Sequence, residues 1–472
     1  MRACKTAEEA GVPAFAIVST GFLRQAHASA RALGIEGAWV AEYPGVIPTD
    51  SRDQLEKKVR DVVVSNLLAG FAAPIQEPTA AAVEPAPTDI VFTGSFDAVQ
   101  DHFHDHLWSD GLPVVPPTLG RVDAFMSFTA RERSEVLGIL HPEHRAATVW
   151  SVAVNGVMAG CRPEYMPVLL SVADAIADPE FRLEDAGSTP GWEPLVVVSG
   201  PIAAQLEFNT EGGLMRVGPQ ANTSIGRFLR MYMRNVAGWR TPPGTTDKGS
   251  IGSTFNVALA EDDAMVEELG WPSFREDLGF DPADSVVTVQ SVVAISPPIY
   301  SGGDTPDQLM EPISHLMATT MGPWSFTGLW YGRKHPLLLL SPAVARAFAA
   351  CGWGKDEIRQ QLFDEVTLEA RWLERYPFHV AGADDSLARR VDEGLIPALY
   401  AASDDPERQV PLLRRPEWTG IVVAGDPGRN QSKVYVNNHE QGPPVSRRVV
   451  LPDDWETRVS TRRSPSGHDN QS

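Results

Sequence analysis

The sequence predicts an α/β protein: a large multi-layer α/β body with signs of internal duplication, preceded by a small Rossmann-like α/β unit. Three observations predict it. Apolar runs of strand length alternate with segments of helical period along most of the chain. A content of 43% hydrophobic and 21% charged residues in 472 is enough to build a sizeable core. One Pro/Ala-rich stretch then divides the chain into unequal parts.

The N-terminal part, residues 1–73, reads as two β-α steps. PAFAIVS (13–19) is a short apolar run, hence a buried strand, and residues 22–33 follow with helical spacing up to Gly34, suited to end a helix. Residues 37–42 form a second strand. Residues 54–68 form an amphipathic helix with Asp50 or Ser51 as its cap. PIQEPTAAAVEPAPTD (74–89) is a semi-extended linker. Residues 90–452 form the body, and the polar tail 453–472 is expected to be disordered.

Within the body, PLVVVSG (194–200), PLLLLS (336–341) and TGIVVAG (419–425) are strand-like. The first two lead through Ser and Pro into Ala-rich helices, PLVVVSGPIAAQLEF and PLLLLSPAVARAFAACGW. This hints at an internal duplication.

Charge narrows the partners. There are 40 Lys and Arg against 61 Asp and Glu, a formal net charge of -21, so nucleic acid and anionic membrane surfaces are repelled. Three cysteines make no disulfide framework and leave at least one free thiol, as in a reducing compartment. No apolar stretch spans a bilayer and no secretory h-region opens the chain, so a cytoplasmic location is expected. The expected partner is a small-molecule substrate, with a homo-oligomer or a partner subunit also open. The sequence specifies no cofactor.

Four segments are candidates for chemistry. In DGLPVVPPT (110–118), an Asp-Gly turn and bracketing prolines give a stiff extended loop that offers Asp110. Gly160-Cys161-Arg162-Pro163 joins two apolar helices, with Gly160 ending the first and Pro163 starting the second. Cys161 then stands before a helix N-terminus beside Arg162, where a thiolate is stabilised, although free cysteine more often packs as a small hydrophobe. Glu164 is near enough to move a proton, and Asn155 faces the same junction if buried.

The third segment, residues 209–235, joins Asn209, Gly212, Gly213 and Gly218 to a helix capped by Asn222 or Thr223 and bearing Arg227, Arg230 and Arg234. A glycine loop, helix N-terminal amides and arginine suit a carboxylate or phosphate. The competing reading is a solvated arginine face. The fourth is DHFHDHLW (101–108), where His102 and His106 share a helical face as two metal ligands do, with no third ligand apparent.

Two resemblances follow from these residues. Residues 4–73, through EEAGVPAFAIVSTGF and the next helix, resemble the C-terminal half of the UGSC-motif selenoprotein family. In that family a selenocysteine- or cysteine-bearing loop directly precedes the corresponding helix, and this sequence begins where that loop would stand. Cys4 falls within the helix. The body resembles a bacterial family marked by LWSDGLPVVPPT, NGVMAGCRPEYMPVLL, ANTSIGRFLR and IVVAGDPG, which often accompanies such proteins.

The first resemblance implies thiol or selenol chemistry. The expectation is therefore an enzyme, oxidoreductase or lyase, that cleaves or reduces a carbon–heteroatom bond in a small acidic or amino-acid-like metabolite. Cys161, Asp110 and Glu164 would be its catalytic groups, and Asn155, Asn209, Gly212, Gly213, Asn222 and Arg227 would hold substrate. A metal-dependent hydratase or lyase, and a non-catalytic subunit beside a thiol- or selenol-bearing chain, are the alternatives.

Overall fold

The computed structural model describes residues 1–32, 34–35, 37–72, 86–183, 191–240, 254–325, 334–381, 386–438 and 441–463. Most of the linker and the last nine residues lie outside these.

The N-terminal unit runs α1 (Arg2–Glu9), β1 (Phe15–Ser19), α2 (Leu23–Ala32) and β2 (Trp39–Tyr43). It ends in α3 (Arg52–Lys58) and α4 (Val64–Ala72), joined by a π-helical turn. β1 and β2 pair in parallel, as two β-α steps require. Ser51 caps α3 by accepting from the Gln54 amide in a reciprocal capping box. Beyond the linker, residues 86–95 run without regular structure, and Trp150 Nε1 donates to the Pro87 carbonyl at 2.8 Å.

A helical layer follows. It comprises α5 (Phe96–Asp105), α6 (Leu119–Met126), the hairpin β3 (Val136–Leu140) and β4 (Arg145–Thr148), α7 (Val149–Met158) and α8 (Met166–Ala177). The first sheet unit has β5 (Glu193–Ser199), α9 (Ile202–Gln205), α10 (Gln220–Tyr232), β6 (Leu259–Ala260), α11 (Asp263–Leu269), α12 (Phe274–Asp277) and β7 (Val286–Val292). Two short strands, β8 (Ala294–Ile295) and β9 (Ile299–Tyr300), lead to α13 (Pro306–Ser325). The second unit opens with β10 (Leu337–Leu340), α14 (Pro342–Ala350) and α15 (Lys355–Glu365). It continues through β11 (Thr367–Glu369), α16 (Ala370–Ala381), α17 (Leu387–Asp392) and β12 (Gln409–Pro411). It closes with β13 (Gly420–Val423), β14 (Gln431–Val436), β15 (Val445–Arg448) and α18 (Trp455–Arg463).

The two sheets repeat one pattern. β5 lies between parallel β6 and antiparallel β7, and β10 lies between parallel β13 and antiparallel β14. The registers match residue for residue. Val198 faces Ala260 and Val287, while Leu340 faces Val423 and Ser432. The next amides follow suit: Glu261 donates to the Val198 carbonyl at 2.9 Å, and Ala424 to that of Leu340 at 3.0 Å. The duplication hinted at by the two strand–Ser–Pro–helix runs is thus present in the topology.

The units also exchange strands. β8 and β9, which follow β7, pair with β14 of the second sheet; β15, which follows β14, pairs with β7 of the first. A Pro-Pro step stands before β9, Pro297-Pro298, and before β15, Pro443-Pro444.

Side-chain alternation sorts the core into layers. Leu195 and Val197 of β5 meet Leu337 and Leu339 of β10 in a cluster between the sheets. Val196 and Val198 face α7, α8 and α10, whereas Leu338 and Leu340 face α13, α14 and α15. The result is helix, sheet, sheet, helix. Close approach has its own demand: a Cβ on Gly226 of α10 would stand 2.6 Å from the Val257 amide.

The tail departs from expectation. Instead of disorder from 453, α18 runs to Arg463 because Trp455 and Val459 enter the core, and Trp455 Nε1 donates to Gln205 at 2.9 Å. No helix among the described residues is long and apolar enough to cross a membrane.

Candidate functional site

The structure gathers most of the sequence-selected residues into one place and pairs them with each other. Arg227, on α10, grips Asp110 of the DGLPVVPPT loop with two bonds, Nε–Oδ2 at 3.0 Å and Nη2–Oδ1 at 2.8 Å, and also donates to the Pro113 carbonyl. The anion that meets Arg227 is therefore the chain's own carboxylate. Burial alone would raise the Asp110 carboxyl, but the guanidinium outweighs it and holds the group below its ordinary value. The other arginines of this helix also turn inward rather than forming a solvated face. Arg234 donates to the Leu107 carbonyl, and Arg230 meets Glu193 and Thr254.

Cys161 lies beside this pair, buried, with Sγ donating to the Ser224 carbonyl at 3.2 Å. Gly160 takes φ +80° after α7, as a helix-ending glycine should. Pro163–Tyr165 forms only a 3-10 turn before α8. Burial pushes the thiol up to about 12, against the smaller opposing effects of Ser224 and Arg227. The expected low-pKa thiolate is thus corrected: desolvation outweighs the helix start. Glu164 is buried and ion-paired to Arg162.

Asn155 is buried too, accepting from Asn235 at 2.8 Å and donating to the Ser151 carbonyl. Asn222 is not a cap, since α10 begins at Gln220; its side chain instead bonds the Asn209 amide and carbonyl and the Ala258 carbonyl. Thr223 Oγ1 accepts from Gly218 at the helix start. Asn209 closes its own loop onto Gly212 and Glu211, and Gly213 takes φ +75°. This segment abuts the carboxyl end of β13, where the Gly425 amide donates to the Thr210 carbonyl at 2.8 Å.

His102 and His106 do share a face, with ring centroids 4.1 Å apart, but within an aromatic stack. Phe92 lies on His102 at 4.4 Å and Trp108 packs against both. Among the described residues no three His, Cys, Asp or Glu side chains are grouped to hold a metal ion.

Lys334 stands where the chain enters β10 and is 5% exposed. Its parity places it with Pro336, Leu338 and Leu340 on the helix-facing side of the second sheet. Continuing the β10–β14 register beyond Leu337–Tyr435 sets it beside Asn438. Neither a hydrogen bond nor an ion pair ties its ammonium to a described residue. Burial first, then the charge of Arg414, hold it well below the ordinary lysine range.

Around it, His335 stacks on Trp418 at 4.7 Å and donates its amide to Asn437 at 2.7 Å. Asn438 donates to Gln441 at 3.4 Å. Gln441 Nε2 and Thr419 Oγ1 are buried with no hydrogen-bond partner among the described residues. Arg414, half-buried, covers the Tyr400 ring at 5.0 Å. No sequence signal singled out Lys334, whose neighbours Arg333 and His335 are basic.

A second feature lies where the N-terminal unit meets the body. A cavity of about 460 Å³ is walled by Cys4, Ile17, Gln25 and Ser29 on one side and by His141 and Pro142 on the other.

The fold is that of a duplicated four-layer α/β protein with a buried lysine at one sheet end. The family model of the UGSC family matches residues 2–70, the region holding α1 to α4. Comparison with curated proteins gave no match, and comparison with solved structures gave none.

Proposed function

We propose that this chain is an enzyme acting on a small acidic, amino-acid-like or keto-acid-like metabolite. Lys334, at the amino end of β10, meets the metabolite's anionic group. One observation carries the reading: Lys334 is 5% exposed at this sheet end, with no carboxylate of the described residues in ion-pair distance of its amine. A buried charge without a counter-charge costs several kcal/mol, so burial holds the amine well below its ordinary range, and a bound anion restores the charged form. Thr419 and Gln441 add polar contacts at the same sheet end. Asp110 and Arg227, being matched to one another, serve as frame.

Thermal melting across a panel of small carboxylates tests this. At least one should raise the melting temperature of the wild type and leave that of a folded Lys334→Met variant unchanged. A panel that moves neither protein, or both alike, rejects the site.

Thiol-dependent cleavage or reduction of a carbon–heteroatom bond is the second reading, and Cys4 favours it over Cys161. Cys4 lines the cavity beside His141, within the segment matched to the UGSC family. Substrate-protected alkylation of Cys4 would support it; alkylation of Cys4 without loss of turnover would remove it.

A further inference from the structure

We infer that the cavity between the N-terminal unit and the β3–β4 hairpin binds a small neutral molecule that carries an amide or lactam edge. It shares no residue with the Lys334 site, and it takes this ligand whether or not Cys4 reacts. At about 460 Å³ it falls within the size range of small-molecule pockets, which favour places where two parts of a protein meet.

The wall formed by α2 is built for more than packing. Phe22, Gln25, Ala26 and Ser29 follow the i, i+3, i+4, i+7 spacing that turns one side of a helix inward, and all four line the cavity. A face that only packed would be apolar throughout. Here two of the four positions hold a carboxamide and a hydroxyl, and neither side chain hydrogen-bonds a described residue. Each can both donate and accept.

The strand wall offers the same chemistry. Ala16, Ile17 and Val18 are consecutive in β1, and all three line the cavity. Side chains alternate between faces along a strand, so a cavity touched by three residues in a row runs along the strand edge. Among the described residues β1 pairs with β2 alone, and alternate residues turn N–H and C=O away from that partner. A backbone edge, a carboxamide and a hydroxyl together match a ligand that has an N–H beside a C=O.

The body closes the other side with His141 and Pro142. The Trp239 indole donates to the His141 carbonyl at 3.0 Å, and the Glu143 amide donates to Ala237 at 3.1 Å, which fixes the hairpin. Glu143, the carboxylate at the hairpin tip, is taken up by Arg145 and Arg240. No Asp, Glu, Lys or Arg is among the described residues that line the cavity. A charged ligand would lose hydration there with no counter-charge to replace it, so the wall selects a neutral one.

The test is isothermal titration of the full chain with two matched pairs, nicotinamide against nicotinate and uracil against orotate. At least one neutral member should bind tighter than about 1 mM, and about tenfold tighter than its acid. Gln25→Leu should weaken that binding about tenfold and Ser29→Ala about threefold, as removal of neutral hydrogen bonds does. Lys334→Met should leave it unchanged. Saturating neutral ligand should also slow alkylation of Cys4 by N-ethylmaleimide and spare that of Cys351, which places the ligand in the cavity. Failure of both neutral members to bind overturns this site. So do acids that bind as tightly, binding unchanged in both variants, or Cys4 labelling that the ligand does not slow. A Lys334-dependent thermal shift with carboxylates would stand or fall separately.

Discussion

The two sheet units use one frame but balance charge differently at equivalent ends. Before Pro194, the first unit places Glu193, and Arg230 lies 3.5 Å away. Before Pro336, the second places His335 at the matching position and, one residue earlier, the buried Lys334, with no carboxylate of the described residues in ion-pair distance. Backbone pairing is the same on both sides, so the fold itself does not call for a lysine there. The first half closes this end with an ion pair, and the second buries a lysine amine without one among the described residues.

The largest test of this comparison is the closed pair. Arg227→Met strands Asp110, whose side chain is 6% exposed, and should cost about 3–5 kcal/mol by chemical denaturation. A loss below about 1 kcal/mol would place the Asp110–Arg227 pair among weakly contributing surface bridges instead. Lys334→Met should move the other way, gaining about 1 kcal/mol, because it removes a buried amine with no hydrogen-bond partner among the described residues and leaves a side chain of similar length. If both variants destabilise alike, the contrast between the two ends collapses.

Acid unfolding sharpens the contrast further. Asp110 is lowered in the fold, so its contribution is fully present above the unfolded aspartate value of about 3.9 and is lost as pH falls through the folded value. Arg227→Met should therefore flatten that part of the acid limb, measured as stability against pH, while Lys334→Met leaves it intact. The smallest effects belong to Cys161. Ala and Ser in its place should each cost only about 1 kcal/mol, since the Ser224 carbonyl can accept from a hydroxyl as from the thiol. Raised to about 12, the thiol contributes stability that is present below its unfolded value and lost as pH climbs toward 12. Iodoacetamide should modify half-buried Cys351 before Cys161 near neutral pH.

Local signals in the sequence were good guides. The run PAFAIVS became β1, the two Pro-led runs became β5 and β10, and Ser51 capped its helix, because each depends on neighbours a few residues away. Asp110 and Arg227 were both chosen as functional, yet their separation of 117 positions hid the fact that they choose each other. β7 and β14 went unnoticed, since VVTVQSV and QSKVYV mix polar with apolar residues and owe their strand state to pairing across the sheets. Lys334 was illegible for the same reason. Its burial comes from the sheet and helices that close around it, whereas its own neighbours in sequence are basic.

The strand exchange has a consequence for the history and assembly of the chain. A protein made of one half alone would end with an open sheet edge and a terminal strand in search of one. A second copy supplies both, which is the arrangement of a strand-swapped dimer. Here the two copies share one polypeptide. The last strand to emerge, β15, must return to one formed about 160 residues earlier, so the first sheet stays incomplete until the C-terminal region has been synthesised.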